Sequence, residues 1–231
     1  MLRILDARTG DVTAIRPGLL RVHAQVSGTD TSALRTLLVA DVLARALEMA
    51  GTPVVAVADV PDALRARADG LGIRPMAPDA PGVGRVLYVL GEHGGAPDGP
   101  RIEVAPASGP DDGSPDAGAD FSAVRLALLA RPRGEAVRLD AAVLAEARDT
   151  LGRWREAVAA WATHPSRPVP ERVRDALRAA WEDDLDLPAV LEVLRRVEGD
   201  DDVPDGARFE TYAYADRLLG LDLTRRIGAG A

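Results

Sequence analysis

Apolar and polar residues alternate from Leu20 to Gln25, with Leu20, Val22 and Ala24 on one side and Arg21, His23 and Gln25 on the other. That period of two predicts a strand covered on one face. Gly28, Thr29 and Asp30 break the alternation, and Asp30 or Thr31 is placed to cap a helix. Residues 32–50 are strong helix formers, and Leu34, Leu37, Leu38, Val42 and Leu43 cover so much of the circumference that this helix must be walled in on several sides. Gly51 closes it. Residues 53–59 (PVVAVAD) are a nearly unbroken apolar run, expected for a parallel strand covered on both faces. Strand, helix and strand make a βαβ unit. Its loop of small residues directs backbone N–H groups at the positive end of the helix, where phosphates and carboxylates bind in many α/β proteins.

Around this unit the pattern predicts two short strands flanking a turn at Thr9, Gly10 and Asp11, an exposed helix over 62–72, a buried strand over 85–91 and an edge strand over 101–105. Residues 107–120 (ASGPDDGSPDAGAD) have almost nothing to bury and are expected to link two domains, 1–106 and 121–231. Beyond them, segments 121–130, 140–164, 170–184, 188–199 and 207–226 carry apolar residues at helical spacing. The stripe Val143, Leu144, Ala147, Leu151, Trp154, Val158 and Trp161 reads as core. The expected fold is thus α/β, a parallel sheet followed by an α-helical bundle.

Composition narrows the chemistry. The 231 residues include no cysteine, and all 28 basic residues are arginine. Thiolate zinc sites, thiol nucleophiles, Schiff bases and a P-loop lysine are therefore absent from this chain. A net charge of −8 argues against tRNA as a partner, because phosphate neutralisation supplies most nucleic-acid affinity. No apolar run approaches the roughly 20 residues of a membrane span, and the N-terminus lacks a signal-peptide pattern, so the expected location is the cytoplasm.

His23, His93 and His164 are too dispersed to imply a metal or relay, and His23 is expected at the surface. Asp59 lies at the carboxyl end of its strand, where α/β sheets place ligands. The acidic runs at Asp183, Asp184 and Asp186 and at 200–202 lack the order of a calcium loop and read as solvated helix ends. Arg131, Arg133 and Arg138 read as a solvated turn.

The segments LRILDARTGDVTAIRPGLLRVHAQ, LRTLLVADVLARALEMAG and PVVAVADVPDALRARADGLG resemble the front of the family of cysteinyl-tRNA synthetase and the mycothiol-pathway cysteine ligase. ADFSAVRLALLARPRGEAVRLDAAVLAEARDTLGRW and LRAAWEDDLDLPAVLEVL resemble its later helical domain. The resemblance implies an incomplete Rossmann-like, class I synthetase-type nucleotide fold whose middle is replaced here by residues 75–110. It places Gln25 where the family has a zinc-binding cysteine, and an amide is a poor substitute for a thiolate. The family's HIGH signature falls on Asp30, Thr31, Ser32 and Ala33, so a carboxylate replaces the first histidine and a methyl group the second. A carboxylate about 4 Å from a phosphate costs on the order of 1–4 kcal/mol unless Mg²⁺ lies between them. The family's KMSKS lysines have no counterpart.

The expectation is a truncated, degenerate relative without amino-acid activation that serves as a binding or regulatory protein. It expects no catalytic residue, zinc or other cofactor, and expects the exposed sheet surface to be covered either by the loop of residues 75–84 or by a second chain, a protein partner or another copy. An alternative is a small ligase or nucleotidyl transferase that keeps a pocket for ATP or AMP with Mg²⁺. That candidate pocket comprises Gln25, Thr29, Asp30, Thr31, Ser32 and Asp59. A second alternative is a tRNA-binding accessory.

Overall fold

A computed structural model describes residues 1–78, 82–91, 98–109 and 121–228. His93 and most of the expected linker lie outside the described residues. The chain opens with an antiparallel hairpin, β1 (Arg3–Asp6) and β2 (Asp11–Ala14), joined through Gly10. Then come β3 (Leu20–Gln25), α1 (Thr31–Met49), β4 (Val54–Val57), α2 (Asp62–Gly70), β5 (Arg85–Gly91) and β6 (Arg101–Val104). These four strands form one parallel sheet in the order β4-β3-β5-β6. The sequence steps outward from β3 to β4 and then returns to the other side of β3, so the strand order reverses between β3 and β5. Open α/β sheets bind ligands at that point, beyond the carboxyl ends of the strands.

The alternation in β3 resolves as expected: Leu20, Val22 and Ala24 are buried, and their polar neighbours are half-buried. His23 is one of those neighbours, and its ring lies 5.5 Å from that of Tyr88 rather than fully at the surface. The apolar run of β4 is not covered on both faces. It is an edge strand with Val55 exposed, and an apolar run alone does not distinguish an edge from a centre. Its outer rim is met by Ala77, which donates to the Ala56 carbonyl and accepts from the Ala58 amide, both at 2.9 Å. At the opposite edge, Ala7 donates to the Arg101 carbonyl (2.9 Å), and the Arg101 amide donates to Asp6 Oδ1 (3.1 Å).

A short parallel pair, β7 (Ala107–Ser108) with β8 (Val137–Arg138), follows β6. The helical part comprises α3 (Phe121–Leu129), α4 (Ala141–Trp161), α5 (Glu171–Glu182), α6 (Leu187–Glu198) and α7 (Asp205–Leu219). Helix α7 stops at Gly220, which takes the left-handed conformation (φ +60°). The expected continuation to 226 is absent, because residues 223–228 turn instead. The aromatic stripe of α4 is core: Trp154 is fully buried against Tyr212, ring centroids 5.7 Å apart and nearly perpendicular. One contiguous apolar core joins α1, the sheet and the helical part. Among the described residues no helix is long and apolar enough to cross a membrane.

Candidate functional site at the tip of helix α1

Gln25 ends β3 opposite Leu90 of β5, at the point where the strand order reverses, and is half-buried. Thr29 and Asp30 follow on the loop, and Thr31 and Ser32 open α1, so five of the six expected residues gather at this tip. Asp59 lies two residues beyond β4, exposed on the side of the sheet away from β5.

Two of the side chains at the tip, Asp30 and Ser32, are already engaged. Asp30 has an extended backbone, and its carboxylate accepts the Ala33 amide at 2.9 Å. The helix therefore holds an anion of its own at its positive end. The Ser32 hydroxyl donates to the Ala107 carbonyl (3.0 Å) and accepts the Ala107 amide (3.1 Å), binding β7 across the helix start. Two residues further on, a Cβ at Gly109 would stand 3.1 Å from Thr31 Oγ1, a close approach that glycine permits. On the other flank Arg67 of α2 donates to the Thr29 carbonyl at 2.6 Å.

Arg35, one turn along α1, extends this clasp. Its Nη1 donates to the carbonyls of Ala105 (2.9 Å) and Glu135 (2.6 Å), and its Nη2 to that of Pro132 (2.8 Å). Burial pushes its pKa down to about 10, opposed by the nearby Glu135 carboxylate. Sequence reasoning alone passes over Arg35, whose partners lie about 70 to 100 residues away along the chain.

The larger omission lies two turns deeper. Asp41, 2% exposed, takes Arg125 Nη2 (3.0 Å) and Arg45 Nε (2.9 Å) on one oxygen and Arg74 Nε (2.9 Å) on the other. Arg125, fully buried on α3, also donates to the carbonyls of Leu219 (2.5 Å) and Leu71 (2.9 Å). Burial lowers its pKa, and Asp41 counters that. A Cβ on Gly220 would lie 2.9 Å from Arg125 Nη2, so this turn accepts glycine for space as well as for its φ. The available signal was one charged residue within each of two apolar helical runs, LLVADVLA and AVRLALLA. Buried charges persist when paired and hydrogen-bonded.

Two surface readings change. Asp184 is no solvated helix end: it accepts the Leu5 amide (2.8 Å) and Arg133 Nη2 (2.6 Å), fastening the hairpin to the helical part. Arg133, expected in a solvated turn, is thereby partly buried. Among the described residues no three His, Cys, Asp or Glu side chains are placed to hold a metal ion. With Gln25 at the end of β3, the residues present do not fit a zinc site.

Comparison with known proteins places these features in context. The chain is similar to L-cysteine:1D-myo-inositol 2-amino-2-deoxy-alpha-D-glucopyranoside ligase of Streptomyces griseus, 38% identical over 112 residues, covering 46% of this chain and 26% of the relative. The ligases of that name from Streptosporangium roseum (39% over 110 residues; 46% and 26%) and Thermobifida fusca (37% over 114 residues; 47% and 26%) match to the same extent. The match thus spans about a quarter of the length of these curated relatives. No family model matches the chain.

Proposed function

We propose that this chain keeps the scaffold of a cysteine-ligase-like protein without amino-acid activation, and acts in the cytoplasm, without zinc, as a binding or regulatory protein. The observation that carries this reading is the self-filled tip of α1. Where an adenylate-forming enzyme places phosphate, Asp30 caps the helix and Ser32 holds the backbone of Ala107. A triphosphate entering there meets the Asp30 carboxylate, while the guanidinium on that flank, Arg67, is engaged on the Thr29 carbonyl. The absence of cysteine and the amide at Gln25 support the same reading for the thiol end of the site.

Cysteine-dependent exchange of pyrophosphate into ATP tests it directly. The purified chain is expected to show background exchange, with or without added Zn²⁺. Exchange above background overturns the proposal. Calorimetry with ATP and AMP, with and without Mg²⁺, is expected to be flat; a saturable heat supports the alternative, a retained nucleotide pocket.

A further inference from the structure

A cleft of about 250 Å³ lies between α1 and α2, and none of the residues at the α1 tip lines it. Its floor is apolar: Leu37, Ala68 and Ile73 are buried, and Val60 and Met76 pack against the same core. Its charged lining comes from Arg65 and Asp69 of α2 and from Arg74.

Arg65 and Asp69 are four residues apart on α2, the spacing at which opposite charges meet on a helix, yet they form no pair. Among the described residues Arg65 is held only through Nε, by Asp62 Oδ1 at 2.9 Å. The Asp69 carboxylate has no partner among the described residues. Arg74 spends Nε on Asp41 and Nη1 on Glu48, which leaves Nη2 unpartnered among the described residues. The cleft thus presents exposed donors and an exposed carboxylate that carry no partner among the described residues, beside an apolar floor. Concave apolar sites with a few convergent polar groups of this kind take small molecules.

We propose that this cleft binds a small aliphatic acid carrying a hydrogen-bond donor on the carbon next to its carboxylate. The carboxylate faces Arg65 and Arg74, the donor faces Asp69, and a branched hydrocarbon tail of about four carbons lies among Leu37, Val60, Ile73 and Met76. The volume suits a ligand of that size. Because Arg74 also holds Asp41, occupancy of the cleft reaches the buried cluster that ties α1 to α3. The inference does not depend on the reading of the α1 tip.

Isothermal titration of the full chain with leucine, 2-hydroxy-4-methylpentanoate and 4-methylpentanoate tests it and separates an amino donor from a hydroxyl donor. Saturable binding of at least one of the first two is expected, with the third about tenfold weaker. Arg65→Ala and Asp69→Ala, on the exposed face of α2, are each expected to weaken binding about tenfold with an unchanged circular-dichroism melt. Met76→Trp is expected to fill the cleft and abolish binding. Flat titrations with the first two acids overturn the proposal. So does equal affinity for the third, or binding that survives all three substitutions unchanged.

Discussion

Two charged regions sit on one helix and behave oppositely. At the tip of α1, two polar side chains are spent on backbone groups: Asp30 on Ala33 in its own first turn, Ser32 on Ala107, 75 residues away. In its middle, Asp41 is shut away from water and gathers guanidinium groups from α1, α3 and the segment after α2. The tip contributes single hydrogen bonds to backbone groups, each of which several residue types could replace. The middle contributes a long-range tie that tolerates almost no change, because each charge there depends on its neighbours to offset the loss of hydration.

The sharpest way to break this contrast is Asp41→Asn. It leaves Arg125 buried with a weakened counter-charge, and urea unfolding is expected to show a loss of about 3–5 kcal/mol. Adding Arg125→Met to that variant removes the buried charge but leaves the Leu219 and Leu71 carbonyls without their donor, so recovery is expected to be partial at most. A single substitution within about 1 kcal/mol of the parent would show the cluster to be dispensable. Changes at the tip should be milder. Asp30→Ala and Ser32→Ala are each expected to cost about 1 kcal/mol, and Asp30→Asn less. Hydrogen exchange at the Ala107 amide should rise in Ser32→Ala and stay unchanged in Asp30→Ala.

Acidity gives the smallest effects and tests the same division between buried and exposed carboxylates. Burial raises the Asp216 pKa, although the amides of Leu223 and Leu221 donate to its carboxylate. An acid raised in the folded state weakens the fold as it ionises, so its cost appears as pH climbs past the ordinary carboxylate range. Asp200, at the surface, is lowered by the Arg172 guanidinium and by the Asp202 amide. Its small contribution is present above the ordinary range and fades as pH falls through the lowered value. Carboxyl NMR titration should find Asp216 above and Asp200 below the usual value, with Arg172→Ala moving Asp200 back upward.

Much of the architecture was legible because it depends on short-range pattern. The alternation in β3 and the apolar circumference of α1 specify those elements without knowledge of their neighbours, and the stripe of α4 names its own buried side. What escaped depends on long-range pairing. Nothing local distinguishes an edge strand such as β4 from a central one. Asp184 reads as a solvated charge until the hairpin, 179 residues away in sequence, places the Leu5 amide against it. The candidate site divides in the same way. Loop chemistry placed Asp30 at the helix start, whereas the Ser32 partnership with Ala107 spans 75 residues and leaves no mark on its own segment.

The small contacts at the two sides of the parallel sheet carry a consequence for how this molecule meets others. Ala77 takes up backbone groups along one margin, and Asp6 with Ala7 takes up those along the other. An incoming extended peptide therefore finds no long ladder at either margin on which to continue the parallel sheet.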